Sequence, residues 1–171
     1  MALERFAASW REAYVSEATD RERTATDNEC IFCSLVELGA NVDSGVIAIS
    51  ELSFVCLNAF PYGSGHVLVL PRRHMKDLDE LTQSEASDFT TTLRQASRAL
   101  TLAYRPDGQN IGINLGRAAG AGLPEHLHAH VLPRWNGDTN FMSSIGETRV
   151  LPESLSSTWH KVASVWDQAR S

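Results

Sequence analysis

The chain lacks the features of several large protein classes. Its 171 residues include 15 lysines and arginines against 21 aspartates and glutamates, a net charge of -6 with no basic tail. This composition disfavours a nucleic-acid partner, because binding to a phosphate backbone needs clustered basic residues. No apolar run approaches the ~18 residues of a membrane span, and no basic region precedes an apolar core at the N-terminus. We therefore expect a cytoplasmic protein that binds neither membranes nor nucleic acids.

Cysteine is also scarce, since three residues are too few and odd in number for a disulfide framework. Cys30-Ile31-Phe32-Cys33 has the spacing of half a zinc site, whereas Cys56 lies in an apolar segment typical of a core strand. His74 and His126 are the candidates that would complete a Cys₂His₂ set. Such a closed site, without an open coordination position, indicates a structural zinc. The alternative is a pair of packed or redox-active thiols.

The order of apolar and polar segments predicts an α+β domain. Residues 1–29 are expected to form an amphipathic helix and a linker, and residues 30–171 one globular domain. Strand follows strand through short connections, which favours an antiparallel sheet over βαβ winding. A capping box at Thr82 and Glu85 begins the longest helix. The predicted helices are 30–38, 83–104 and one from about 152, and the predicted strands are 46–49, 54–57, 66–71, 111–114 and a strand of histidines. The last helix is expected to turn inward Leu155, Trp159, Val162, Val165 and Trp166.

Three of the six histidines form a row at every second position, His126, His128 and His130, separated by Leu127 and Ala129. This period is typical of a half-buried strand, so the imidazoles would share one face and the apolar residues the other. The outer two would lie roughly 13 Å apart at ~3.3 Å per residue, too far to bind one metal ion together. The row must therefore divide its functions, unless it is only a hydrogen-bonded polar face.

A loop rich in glycine and alanine, residues 116–122, leads into the row. Successive N–H groups of such a loop can form an anion-binding nest, although a tight connection without a ligand is the alternative. It is neither a P-loop nor a dinucleotide fingerprint, because the Gly-Lys-Ser/Thr ending is missing and the loop opens a strand. An imidazole beside it could attack phosphorus and form a nucleotidyl-histidine, with the charge of the transition state met by the nest, His130 and Asn114. No lysine-centred cradle or acidic magnesium cluster is visible, which favours chemistry without a metal at the reaction centre.

Together these motifs resemble the histidine triad (HIT) superfamily. The resemblance covers about residues 30–134 and rests on Asn58-x-x-Pro61-Tyr62-x-x-Gly65-His66, Pro71-x-x-His74 and the histidine row with its following Val131 and Leu132. The segments Pro133-Arg134-Trp135-x-Gly137-Asp138-x-Asn140-Phe141-Met142 and Trp10-Arg11-x-x-Tyr14 resemble the branch with bacterial diadenosine tetraphosphate phosphorylases and related hydrolases.

The resemblance implies a five-stranded antiparallel sheet with one long and several shorter helices, and a homodimer in which two sheets join. Catalysis would fall to His128, the nucleophile on the α-phosphate. His130 would contact the phosphate and Asn58 the ribose. Further phosphate contacts would come from Asn114, Gly120, Ala121 and Gly122. In zinc-binding members the ligands match Cys30, Cys33, His74 and His126.

The predicted function is cleavage of a phosphoanhydride or phosphoramidate bond at the α-phosphate of an adenine-type nucleotide or dinucleoside polyphosphate. It would proceed through a nucleotidyl-His128 intermediate, without a cofactor at the reaction centre. The second acceptor is water or, in a diadenosine tetraphosphate phosphorylase, orthophosphate. Two further alternatives are a nucleotide-binding dimer without catalysis and a metallohydrolase that uses two histidines of the row.

The chain departs from the family pattern directly before the row. Many members carry a glutamine or serine there, where this chain has residues 121–123, Ala-Gly-Leu. A side-chain donor to the leaving group is therefore missing, and Pro124-Glu125 is the candidate replacement. Trp135 either flanks the substrate or packs, and His66 and His160 are interpreted as structural.

Overall fold

Five antiparallel strands form the sheet that carries the site, in a computed structural model that describes residues 30–139 and 153–170. The predicted α+β class is confirmed, whereas the predicted N-terminal helix and linker lie outside the described residues. The helices are α1 (Ile31–Glu37), α2 (Gln83–Tyr104) and α3 (Leu155–Val165), with short 3₁₀ turns at Leu78–Glu80, Arg117–Ala119 and Asp167–Arg170. The strands are β1 (Val46–Ile49), β2 (Ser53–Leu57), β3 (Val67–Pro71), β4 (Gly108–Ile113) and β5 (Ala129–Arg134). No described helix is both long enough and apolar enough to cross a membrane.

The strand order is β1-β2-β3-β5-β4, so β5 lies between β3 and β4, and β4 is an edge. In this register His130 pairs with Leu68 of β3 on one side and with Gly112 of β4 on the other. The burial of β5 alternates, with Ala129 and Val131 buried and His130 half-buried. The predicted period of two therefore holds from Ala129 onward.

Each face of the sheet packs against a different set of helices. One core cluster joins α2 and α3 to Val55, Val67, Val69, Ala129 and Val131. The opposite face joins α1 to Phe54, Cys56, Leu68 and Leu70. Since neighbouring residues of a strand point to opposite faces, His130 lies on the face that α1 covers. Cys56 is a core residue, as expected.

Helix α2 begins at the predicted capping box. The Thr82 hydroxyl accepts from the Glu85 amide, and the Glu85 carboxylate accepts from the Thr82 amide over 2.9 Å. Arg73 adds two hydrogen bonds to the same carboxylate, of 2.8 and 2.9 Å. These bonds hold the pKa of Glu85 at about 2, below its usual range, chiefly because of the Arg73 guanidinium. The start of α2 is thereby fastened to the segment that follows β3.

Gly65 brings the loop before β3 into close contact with two other elements. Its φ is +75°, and a Cβ there would lie 2.8 Å from Pro133 of β5 and 2.9 Å from Tyr104 of α2. A side chain would be both sterically blocked and strained at this backbone angle. The glycine thus lets the chain turn directly into His66 at the edge of the site.

Two boundary predictions and one burial prediction were wrong. The strand of histidines begins only at Ala129, because the Leu127 amide donates to the Met75 carbonyl over 2.6 Å instead of joining the sheet. Strand β4 begins at Gly108 rather than 111, since its polar first half pairs with 132–134 at an edge and shows no apolar alternation. Leu155 is 40% exposed, because it is the first residue of α3 and precedes the buried stripe.

Candidate active site and metal centre

The backbone fixes the protonation of the middle histidine. Nδ1 of His128 lies 2.8 Å from the carbonyl oxygen of His126. A carbonyl only accepts, so Nδ1 carries the proton and Nε2 is left with its lone pair in the neutral ring. His128 is 6% exposed, and burial lowers its pKa, so the ring is neutral at pH 7. The arrangement provides the imidazole state that a nucleophile requires.

A second chain of hydrogen bonds gives His130 the opposite polarity. Nε2 of His66 lies 3.0 Å from Nδ1 of His130, and the Tyr62 amide donates to Nδ1 of His66 over 3.0 Å. Because an amide N–H can only donate, neutral His66 holds its proton on Nε2 and donates it to His130. The proton of neutral His130 is then on Nε2. The His128 and His130 rings are 5.0 Å apart, so a lone pair and an N–H donor lie side by side.

His66 is the site residue that the sequence interpretation missed. It is 1% exposed and contacts His130 directly, so a purely structural description is too narrow. Asn58, expected at the ribose, lies next to it, with Nδ2 3.3 Å from Nδ1 of His66. One signal in the sequence could have placed His66 near the site: it ends the motif Asn58-x-x-Pro61-Tyr62-x-x-Gly65-His66, on which the family resemblance rests. His160, by contrast, is exposed on α3.

The four predicted metal ligands come together beside the row. Their ligand atoms, from Cys30, Cys33, His74 and His126, all lie within 4.8 Å of one another. Three sulfur–nitrogen separations are 3.3 Å, 3.5 Å and 3.7 Å. Tetrahedral zinc with ordinary bond lengths places sulfur and nitrogen ligands about 3.6 Å apart. The three sulfur–nitrogen separations therefore fit the geometry of a tetrahedral zinc site.

His126 is held in the form that a metal needs. Its Nε2 lies 2.9 Å from the Pro71 carbonyl and must donate to it, which leaves Nδ1 unprotonated and facing the two sulfurs. Burial lowers the pKa of His126 to about 4, with the ring 1% exposed. A neutral imidazole anchored at its second nitrogen by a backbone carbonyl is the usual arrangement of a metal-bound histidine.

The loop before the row differs from the expected nest. Residues 117–119 form a 3₁₀ turn, and the amides of Ala119, Gly120 and Ala121 donate to carbonyls of the loop itself. These three N–H groups are therefore used internally in this conformation. Asn114 also supports the loop, since its Nδ2 donates to the Gly120 carbonyl over 3.4 Å. Ala121 is buried.

The HIT domain model matches residues 40–137, more than half of the chain. The protein belongs to the HIT family. An AP-4-A phosphorylase of Mycobacterium tuberculosis is 41% identical over 121 residues, which are 71% of this chain and 62% of that protein. The chain thus spans less than two thirds of that relative's length. An asymmetrical bis(5'-nucleosyl)-tetraphosphatase of Schizosaccharomyces pombe is 37% identical over 97 residues, 57% of this chain and 53% of that protein. A Zn-bound histidine triad family protein from Mycobacterium smegmatis is 28% identical, with a TM-score of 0.67 over 84% of this chain and 96% of that one.

In this HIT protein the structure shows what surrounds the residues directly before the histidine row, where the sequence departs from the family pattern, and what surrounds Trp135. Leu123 packs against the core cluster beneath α1, so its position offers no polar group to a substrate. Glu125 is exposed. Trp135 packs edge-on against the Tyr104 ring, with 6.1 Å between centroids. Of the two alternatives for Trp135, flanking the substrate or packing, this contact corresponds to packing.

Proposed function

We propose that this HIT protein cleaves a phosphoanhydride bond at the α-phosphate of a dinucleoside polyphosphate or related adenine-type nucleotide. The reaction passes through a nucleotidyl group on Nε2 of His128. The observation that carries the proposal is the bond from Nδ1 of His128 to the His126 carbonyl, which leaves Nε2 unprotonated in a buried ring. The relatives named AP-4-A phosphorylase and bis(5'-nucleosyl)-tetraphosphatase support the substrate class.

The mechanism has two displacements. Nε2 of His128 forms a bond to the α-phosphorus while the bond from phosphorus to the bridging oxygen breaks and releases the remaining nucleoside polyphosphate. Nε2–H of His130 donates to a non-bridging oxygen, where negative charge accumulates. Water or orthophosphate then takes the nucleotidyl group and frees His128. We assign Asn58 to the ribose, and Asn114 with residues 120–122 to the phosphates. To make these contacts, the amides of Gly120 and Ala121 would have to exchange their loop carbonyls for phosphate oxygens.

The second acceptor is decided by the products from diadenosine tetraphosphate. Orthophosphate as acceptor yields ADP and ATP, whereas water yields AMP and ATP. The 41% identical phosphorylase favours the first outcome. Mass spectrometry of protein denatured during turnover should find the nucleotidyl group on the peptide that contains His128. Turnover without such an adduct would favour a metallohydrolase, and no product under either condition would favour a nucleotide-binding dimer.

Substitution of the nucleophile tests the same assignment. His128→Asn should lower turnover at least ~10³-fold, because the covalent route is lost, while AMP binding and the thermal midpoint change little. The matched control is His160→Asn, which alters an exposed histidine of α3 and should retain full activity. Undiminished turnover by the His128 variant would remove the assignment.

We also propose that Cys30, Cys33, His74 and His126 hold one zinc ion. When bound, zinc would supply a cross-link between α1 and the segments that follow β3 and precede β5. About one equivalent should copurify, and Cys33→Ser should lower both the metal content and the thermal midpoint. Cys56→Ala, which removes the core cysteine outside the cluster, should retain the metal. A metal-free wild type of unchanged stability would contradict the proposal.

A homodimer through β4 is the third proposal. Among the described strands β4 pairs only with β5, so its other edge presents unpaired backbone groups. Ile111 on this strand and Leu115 just beyond it are 49% and 41% exposed. Light scattering of the wild type should give twice the mass of one chain, and Ile111→Asp should give the mass of a single chain. Leu38→Asp, at a site 64% exposed after α1, is the control that should stay dimeric. The cytoplasmic location and the boundary at residue 30 stay predictions.

A further inference from the structure

Phe32 connects the metal centre to the proposed nucleophile. It stands between the two cysteines on α1, is 6% exposed, and has its ring centroid 5.5 Å from that of His128 and 5.6 Å from that of His126. Ring pairs at these separations are in direct contact. The helical turn that carries Cys33 therefore also supports the side of the His128 ring.

His126 provides a second connection. Its side chain faces the sulfurs of Cys30 and Cys33 through Nδ1, while its own carbonyl accepts the Nδ1–H of His128. Side chain and carbonyl belong to one residue, so a backbone shift at His126 that accompanies metal binding would also move the acceptor. The bond from Nε2 of His126 to Pro71 fixes the ring from the other side.

Helix α1 depends on contacts outside itself for its position. It has seven residues, and its N-cap Cys30 makes no side-chain capping bond. Isolated helices shorter than ~12 residues are marginal in water, so tertiary contacts must hold α1. The ligand cluster joins α1 to His74 and His126, residues far away in the sequence. Metal binding would therefore fix the helix that presents Phe32.

We propose that Phe32 is a positioning residue for His128, and that metal binding at the cluster is transmitted to the orientation of that ring. The inference rests on the proposed nucleophile. Phe32 and the His126 carbonyl together hold the ring so that Nδ1–H is bonded and Nε2 is free. Weakening either contact lets the ring turn and lets both tautomers become populated.

The test compares Phe32→Leu with Phe54→Leu. Phe54 lies in the same core cluster and is fully buried, but it belongs to β2 and makes no ring contact with a histidine in the part of the chain that the structure describes. A misplacement of ~1 Å can cost about 100-fold in rate, so a partial loss of support should lower kcat about tenfold in Phe32→Leu. KM and zinc content should stay within about twofold, and Phe54→Leu should lose stability but not kcat.

Nitrogen NMR provides a readout that does not depend on turnover. In zinc-loaded wild type, the ring nitrogens of His128 should report one tautomer with the proton on Nδ1. Phe32→Leu should report a mixture, and wild type stripped of zinc by a chelator should report the same mixture. Phe32→Met, whose unbranched side chain adapts to irregular gaps, replaces the leucine variant if the latter does not fold. The chelated wild type needs no substitution.

Each outcome has a defined consequence. Unchanged kcat together with an unchanged His128 spectrum would overturn the inference. A higher KM with unchanged kcat would place Phe32 at the substrate and would also overturn it. Absence of a nucleotidyl adduct on His128 would remove the proposed function, whereas the NMR comparison would still decide whether the metal centre positions this ring.

Discussion

Two substitutions of His66 should separate its two hydrogen bonds. Nδ1 of His66 accepts from the Tyr62 amide and Nε2 donates to His130, each over 3.0 Å. The side-chain amide of an asparagine at this position would lie close to where Nδ1 of His66 lies. The side-chain amide of a glutamine would lie close to where Nε2 lies. His66→Asn therefore keeps the acceptor for Tyr62 and loses the donor to His130, whereas His66→Gln does the reverse.

The size of each effect follows from the bond that is lost. A neutral hydrogen bond is worth ~1 kcal/mol net, which is a factor of about five in the ratio of the His130 tautomers. Complete removal of a donor to a transition-state oxygen costs about 10²–10³ in kcat. His66→Asn leaves His130 in place with mixed protonation, so we expect kcat to fall about 5- to 50-fold. Its unfolding free energy should change by less than ~1 kcal/mol.

His66→Gln should have the opposite profile. It removes the acceptor of the Tyr62 amide, a partly buried hydrogen bond of a residue that is itself 39% exposed. A neutral hydrogen bond contributes about 0.5–1.5 kcal/mol net, so urea unfolding should detect a loss in this range. The rate of adduct formation in a single turnover should stay within about threefold of the wild type, because His130 keeps its donor.

The comparison between the two variants tests the role of His66 and the protonation assigned to His130. If both lose kcat and stability in parallel, His66 is only a packing residue and the protonation assigned to His130 is wrong. If His66→Gln is the slower enzyme, the direction of the bond between the two rings is reversed. Nitrogen NMR of His130 adds an independent check, since its proton should be on Nε2 in the wild type and in His66→Gln, and distributed in His66→Asn.

Two further predictions concern the scaffold. Gly65→Ala should lower the unfolding free energy by about 2–4 kcal/mol, because a Cβ there is blocked and the backbone angle is strained, whereas Gly63→Ala, with its nearest neighbour at 3.5 Å, should be almost neutral in thermal unfolding. Glu85→Gln should cost about 1–2 kcal/mol at pH 7, since it weakens the bonds to Arg73 and Thr82. The folded pKa of Glu85, about 2, is below the ordinary 4.5, so this stabilisation is complete above pH 4.5 and is lost as the pH falls toward 2. An equal loss at every pH would contradict the assignment.

The sequence predicted the elements whose side chains are buried on a regular period. Strands β2 and β3 are buried along their whole length and appear as continuous apolar runs, and the box at Thr82 and Glu85 located α2. The cluster of Cys30, Cys33, His74 and His126 was also predictable as a candidate metal site, since zinc selects sulfur and imidazole and few such residues are present. The polar half of β4 was missed, because an edge strand paired on one side shows no apolar alternation.

Features set by partner choice were not predictable. The glycine loop was expected to present free amides, but the positive φ angles of Gly116 and Gly120 turn those amides back onto loop carbonyls. Leu127 was expected inside a strand and instead bonds to Met75. His66 was separated from His130 by 64 residues, so only the sheet register could reveal that their rings meet. In each case the sequence identifies the residue but not the group to which it is hydrogen-bonded in the fold.

The proposed function gives the three histidines of the row three different tasks, and each ring meets a different backbone or side-chain partner. His126 donates through Nε2 to Pro71, which leaves Nδ1 for the sulfur cluster. His128 donates through Nδ1, which leaves the lone pair of Nε2. His130 accepts at Nδ1 from His66, which leaves an N–H on Nε2. Attack on phosphorus needs a lone pair next to a donor for the developing charge, so adjacent rings must have opposite polarity. Histidines on an ordinary strand face would have no fixed polarity, and it is the carbonyls of residues 71 and 126 and the amide of Tyr62 that impose it.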